Sequence, residues 1–343
     1  MPKNLVAPAP SALLPAPGGG LRTARRRAVP GRAGDAAVVL ATAALGLVAL
    51  GCDGGAVEDG DRGPLRVVTT IGMIGDGARA VAGPHAEVES LMQTGVDPHL
   101  YKASESDVRK LAEADLILYN GLHLEGKMGD VLVKMARSRP VVAVSEEIPE
   151  ELLREPPEFL GQYDPHIWFD VSLWRRTLAP IARELAALDP EHAADFEAGA
   201  AAYGAELERL DAWVEARIAE LPPERRLLVT AHDAFGYFGR RYGVEVVGLQ
   251  GISTVAEAGL QDVERVVDLV VERRVPAIFI ESSVPRRAIE AVQAAARDRG
   301  HQVAIGGELY SDAMGPAGTP EGTYLGMVRH NVDTMVNALK ETP

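Results

Sequence analysis

One cysteine, Cys52, stands in 343 residues, so no intrachain disulfide can staple the fold and stability has to come from a packed core. No apolar stretch crosses a bilayer comfortably either, since the run Ala36 to Leu50 is too short. A His-Glu-x-x-His helix is missing, and so is any other convincing general-base motif, which argues against a zinc hydrolase. Positive charge is scarce over most of the chain. Lys3, Arg22, Arg25, Arg26, Arg27 and Arg32 precede Cys52 with only Asp35 against them, a local +5 within a total of -14, which leaves -19 for the remainder. A body that acidic excludes nucleic acid and an anionic membrane face as partners.

What is present at the start of the chain resembles an export signal. Basic residues lead into the apolar run, and the run ends at Val48-Ala49-Leu50-Gly51-Cys52, close to a bacterial lipobox, in which the cysteine becomes the lipidated first residue. The match departs from the usual pattern at Ala49, where Leu is common, and at Leu50, where a small residue is common. A Gly/Asp-rich stretch, Asp53 to Gly63, follows and suits a flexible tether. We therefore expect a signal peptide over 1–51, a lipidated N-terminus and tether over 52–63, and an exported protein held at the periplasmic face or the outer cell surface.

Beyond the tether, strands and helices alternate, which predicts parallel sheet and an α/β class. Strands are expected at Leu65 to Ile71, Ala86 to Met92, Leu116 to Tyr119 and Val141 to Val144, and again at Leu227 to Thr230, Val244 to Gly248, Ala277 to Ile280 and Gln302 to Ile305. Helices fit Ser104 to Ala114, Leu124 to Arg137, Asp233 to Tyr242, Leu260 to Arg273 and Pro285 to Arg297. Between Val171 and Leu221 there is no strand candidate, and Ala, Glu, Leu and Arg dominate, with one break at Asp189-Pro190. The expected plan is two parallel-sheet lobes, 64–171 and 222–343, each with its own core, joined by a long stiff helix within 172–221. Glu146 to Glu158 reads as a surface loop.

Four potential metal ligands follow strand-like runs: His99 and His166, each in an Asp-Pro-His tripeptide, His232, and Asp312. Three imidazoles and a carboxylate could close a four-coordinate shell around a transition-metal dication in the cleft between the lobes, where α/β chains gather ligands at strand ends. Proline stiffens the approach to His99 and His166. A helix is expected to start near Asp233, and the alternative to a ligand role for His232 is a capping neighbourhood in which Asp233 is the cap. Asp170 is either a helix cap or an acceptor behind an imidazole. His85, His123, His192, His301 and His330 lack a partner pattern and are read as surface or packing residues, and Trp168 and Phe169 are expected to pack beside His166.

Gly95-Val96-Asp97-Pro98-His99-Leu100-Tyr101, Asn120-Gly121-Leu122-His123-Leu124-Glu125, Asp164-Pro165-His166-Ile167-Trp168, Glu281-Ser282-Ser283-Val284 and Ser311-Asp312-Ala313-Met314-Gly315 together resemble the zinc/manganese substrate-binding lipoproteins of bacterial ABC transporters, in order and over the whole chain after Cys52. The resemblance implies a non-enzymatic monomer that captures one Mn2+ or Zn2+ per chain and delivers it to a membrane permease driven by a cytoplasmic ATPase. It places His99 and His166 on the first lobe and His232 and Asp312 on the second. Glu281 matches an acid near the family's site, behind a ligand or as an extra oxygen donor. The chain has neither the Glu that some members carry at the His232 position nor a His-rich loop, so manganese and zinc both stay open. A zinc hydrolase using the same cluster and a surface adhesin are the alternatives.

Overall fold

The structure, a computed structural model, describes residues 63–340 with the exception of Leu160. The expected signal peptide and Cys52 lie outside the described residues.

Strands β1 (Leu65–Thr69), β2 (Ala86–Ser90), β3 (Leu116–Tyr119) and β4 (Val141–Ala143) form one parallel sheet in the order β2-β1-β3-β4. Val67, Val68, Leu116, Ile117 and Leu118 are all buried, as strands covered on both faces require. Helices α1 (Gly72–Ala82), α2 (Glu105–Glu113) and α3 (Gly129–Met135) run between them. Ser104 starts α2 through a capping box with Asp107, which satisfies two of the backbone donors that a helix start leaves open. The single helix expected at Leu124 to Arg137 is instead a one-turn 3-10 segment, Gly126–Met128, followed by α3.

The connection is a helical layer. It holds α4 (Val171–Trp174), α5 (Leu178–Leu188) and α6 (Ala193–Ile218), with the expected break at Asp189-Pro190. On α6, which is 26 residues long, Phe196, Tyr203, Leu207, Leu210, Val214 and Ile218 are buried at helical spacing, so one stripe faces the core. Gly199 lies so close to α1 that a Cβ there would sit 2.4 Å from the carbonyl oxygen of Val81. A side chain at that position would push the connecting helix off the first lobe.

In the second lobe β5 (Leu227–His232) pairs in parallel with β6 (Glu245–Gln250), β7 (Ala277–Glu281) pairs in parallel with β8 (Ala304–Leu309), and β5 packs alongside β7. Helices α7 (Gly236–Tyr242), α8 (Leu260–Glu272) and α9 (Arg287–Asp298) link them, and α10 (Tyr324–Lys340) closes the described chain. β5 continues two residues past the expected end, to His232, and the Asp233 amide still reaches the Gly251 carbonyl. For that reason α7 starts only at Gly236, and Asp233 is not its cap.

Two cores form, but they do not divide one to each lobe. The smaller lies on one side of the second lobe, among Leu227, Val229, Val266, Val270, Ile278, Ile280, Ile289 and Val292. The larger runs from the first sheet through α5 and α6 to Phe279, Leu309 and the buried stripe of α10, Met327, Val328, Val332, Met335 and Val336. The expected split into separate lobe cores gives way because the connecting helices present apolar surface to both sheets. Among the described residues no helix is long and apolar enough to cross a membrane.

Candidate metal centre

The site is assembled where strands end. At the carboxyl ends of β1 and β3, the buried Glu125 carboxylate accepts hydrogen bonds from the Thr70 hydroxyl at 2.6 Å and the Asn120 amide at 2.7 Å. Asn120 then donates from Nδ2 to the carbonyl of Pro165 at 3.0 Å, which ties the His166 loop to the first sheet. Burial raises the Glu125 carboxyl above its ordinary value, with these hydrogen bonds opposing.

Each Asp-Pro-His tripeptide folds the same way at the backbone. Asp97 Oδ1 accepts from the His99 amide at 2.8 Å, and Asp164 Oδ1 from the His166 amide at 3.0 Å, the short turn an Asp makes two residues ahead of its partner. His232 is the last residue of β5, and its amide donates to Glu281 Oε1 at 2.8 Å. The segment before Asp312 is held by Asn331 of α10, which accepts from the Tyr310 amide at 2.9 Å and donates to its carbonyl at 2.7 Å.

These supports bring His99, His166, His232 and Asp312 together, all buried, with one donor atom from each within 4.8 Å of the others, a group able to hold one metal ion. Nε2 of His99 and Nε2 of His166 are 3.3 Å apart. Asp312 spans the other side, Oδ1 at 3.4 Å from His166 Nε2 and Oδ2 at 3.3 Å from His232 Nε2. Among the described residues neither His232 Nε2 nor Asp312 Oδ1 finds a hydrogen-bond partner, although both atoms are buried. Unpaired polar atoms of that kind are costly unless something else satisfies them, and a cation does so for both.

The electrostatics differ around the ring. Burial pushes the His99 imidazole down to about 3. Burial acts the same way on His166, but the hydrogen bond to Asp164 and the charges of Asp164 and Asp312 outweigh it and raise the group to about 9. His232 is raised well above its ordinary value for the same reason, with Glu281 and Asp312 overcoming burial. Asp312 is held well below the ordinary carboxylate range, because the two imidazoles overcome its burial. Without metal, then, burial disfavours a proton on His99, while the neighbouring carboxylates favour one on His166 and on His232.

Behind the imidazoles stand carboxylates. Asp164 Oδ1 is 2.7 Å from His166 Nδ1, and its other oxygen pairs with Arg154. Glu281 Oε2 stands 2.5 Å from His232 Nδ1, out of line for a hydrogen bond, so that contact is one of charge. Glu281 therefore stands behind an imidazole and not among the converging donors. Asp170 does not: it caps α4, accepting from the Leu173 amide at 3.0 Å and the Ser172 hydroxyl at 2.6 Å, and does not back an imidazole. The cap, the first of the two readings of Asp170, holds; the second belongs to Asp164, which was visible only as the repeated first residue of Asp-Pro-His. Arg154 and Asn331 carried no local signal. Of the remaining histidines, His301 is buried and bonds to the Val275 carbonyl, and His85 stacks on His192 at 3.9 Å. Trp168 meets the His166 ring edge to face at 5.2 Å, as expected.

Residues 67–338 match the family described as ZnuA, zinc-uptake complex component A periplasmic. The zinc-binding protein TroA of Treponema pallidum is 54% identical over 281 residues, covering 81% of this chain and 90% of that protein. The manganese-binding lipoprotein MntA of Bacillus subtilis is 48% identical over 306 residues, covering 89% and 98%. The solved structure of periplasmic zinc binding protein TroA from Treponema pallidum superposes with a TM-score of 0.79 at 52% identity, covering 81% of this chain and 100% of that one.

Proposed function

Because the chain belongs to the family of zinc-uptake complex component A, periplasmic, we propose that it captures a divalent transition metal, manganese or zinc, outside the cytoplasm and delivers it to the permease of an ABC importer. The observation that carries this reading is the convergence of four buried donors, two from each lobe, on one point. The role is that of a solute-binding component and not of an enzyme, and the hydrolase alternative has no support from the relatives.

His99, His166, His232 and Asp312 hold the ion in this reading, with Asp164 and Glu281 orienting His166 and His232 through their Nδ1 atoms. Burial and fixed backbone contacts keep the donors close to their bound positions, so little freedom is lost on capture. His99, neutral and the least enclosed of the three imidazoles at 5% exposure, meets the ion first. His166 and His232 then give up protons as Nε2 of each takes the metal. The two relatives described above are split between the metals, TroA of Treponema pallidum being called zinc-binding and MntA of Bacillus subtilis manganese-binding.

The rest of the proposed organisation is a signal peptide over 1–51, lipidation of Cys52, a tether to residue 63, lobes over 64–171 and 222–343 with the helical link 172–221 between them, and action as a monomer. Its supports are the basic and apolar leader, the lipobox-like sequence at Cys52 and the lipoprotein name of the Bacillus subtilis relative. Elemental analysis of protein purified without added metal or chelator tests the central claim. About one equivalent of zinc or manganese is expected, lost in His232→Ala; a protein that neither carries nor binds either ion overturns the reading.

A further inference from the structure

One side chain of the first lobe reaches over to the segment that carries Asp312. Trp168 is fully buried in the one-turn helix Ile167–Phe169, which begins directly after His166. Its indole Nε1 donates to the Ser311 carbonyl at 3.0 Å, and its own carbonyl accepts the Tyr324 hydroxyl at 2.6 Å. Trp168 thus moves with His166, two residues before it, while Ser311 moves with Asp312, its neighbour.

We propose that Trp168 is a positioning residue that sets the span between His166 and Asp312, and through that span the preference of the site for the smaller zinc ion over the larger manganese ion. The inference rests on the reading of the cluster as a metal site. His166 Nε2 stands 3.4 Å from Asp312 Oδ1, while His232 Nε2 meets the other oxygen, Oδ2, and the four donors spread over as much as 4.8 Å. A tetrahedral zinc shell with bonds of ~2.0–2.1 Å has edges of ~3.3–3.4 Å, the length of the His166–Asp312 span. A larger ion with more oxygen ligands needs a wider or more open ring. From its own lobe, among the described residues, the Asp312 carboxylate meets the Ser283 hydroxyl and His232 Nε2, each at 3.3 Å and both at Oδ2, so for Oδ1, the oxygen nearest His166, the Trp168 bond to the adjacent carbonyl is what holds the segment toward that histidine. Removing the indole N–H leaves the buried Ser311 carbonyl short of a donor, and the segment relaxes toward other partners. The smaller ion, which needs the tighter ring, loses more.

The test is competition titration of Zn2+ and of Mn2+ against wild type, Trp168→Phe, Tyr324→Phe and Phe169→Leu, with thermal melts of each metal-free protein. For Trp168→Phe, zinc affinity is expected to fall ~10–100-fold, the range for contacts that orient ligands, and manganese affinity by a smaller factor, so that the ratio contracts at least ~3-fold. Phe169 packs on Phe235 at 4.2 Å, and Phe169→Leu is expected to lower Tm without moving the ratio. Tyr324→Phe deletes one oxygen on the same path and is expected to contract the ratio less, in the same direction. It carries the test should Trp168→Phe not fold. An unchanged ratio in the folded variant overturns the role of Trp168, whereas a wild-type protein that binds neither ion overturns the underlying function instead.

Discussion

The same tripeptide, Asp-Pro-His, is used twice, at residues 97–99 and 164–166, and the two copies end in opposite electrostatic states. Locally they are alike: each Asp accepts from the amide of its own His. They part where the rest of each carboxylate goes. Asp97 turns its Oδ2 to the Thr254 hydroxyl, 2.5 Å away in the segment between β6 and α8, and does not face the His99 ring, where burial outweighs the charge of Asp312. Asp164 faces the His166 ring itself and is paired with Arg154, while its carbonyl accepts the Tyr237 hydroxyl at 2.9 Å. The consequence is an imidazole at about 3 in one copy and about 9 in the other. A motif of three residues can set a turn, but the proton affinity of its histidine belongs to the neighbours.

The largest break in the comparison is expected from His166→Ala against His99→Ala. Both remove a donor. His166→Ala also leaves Asp164 facing an empty site in full burial, so metal affinity should fall by more than ~100-fold, beyond the cost of an orienting contact, and further than for His99→Ala. Chelator competition ranks the two, and equal losses would mean that Asp164 adds nothing.

Asp164→Asn sharpens the contrast. Affinity is expected to drop ~10–100-fold, and the pH dependence should change with it. In the wild type, His166 is raised to about 9 without metal, so its ion pair stabilises the metal-free fold in full below the ordinary histidine value of 6.5 and loses that contribution as pH rises through about 9. Metal has to displace that proton, so affinity should climb with pH across the same window, with protons released to buffer on binding. Calorimetry in two buffers of different ionisation heat counts them. The variant should release fewer; an equal count would exclude Asp164 as the group holding the proton.

The smallest effect is expected at the first copy. Asp97→Asn can keep the backbone turn, and Thr254→Val removes one hydroxyl contact worth roughly 1 kcal/mol. Affinity should change by less than ~10-fold in each, with the pH profile unmoved, since neither residue bonds to an imidazole. A shifted profile in Asp97→Asn would erase the distinction between the copies.

Much of this was legible along the chain. Strands rich in Val, Ile and Leu announce themselves by short apolar runs, and seven of the eight expected strands overlap the observed ones by three or more residues, β8 being displaced toward Leu309. Three imidazoles and Asp312 stood out by their position after such runs. Two helices were not anticipated, α1 and α10. Gly72, Gly75 and Gly77 mask α1 as a loop, whereas α10 was legible and missed, since Tyr324, Met327, Val328, Val332, Met335, Val336 and Leu339 recur at helical spacing. Asp170 and Asp233 show the same limit: an Asp near a helix start can cap, back an imidazole or do neither, and the choice depends on how the segment ahead of it ends, the one-turn helix Ile167–Phe169 in one case and β5 in the other.

The sequence by itself determined the alternation of strand and helix, the stiff connection through α6 and the identity of the four converging residues, because periodicity, helix propensity and side-chain chemistry act over a few residues. Only the tertiary structure decided which carboxylate stands behind which imidazole, that one core serves both lobes, and that Trp168 bonds to the residue beside Asp312. Those depend on how segments meet, over 49 residues for His232 and Glu281 and 143 for Trp168 and Ser311, and on burial, which strengthens every charge contact it encloses.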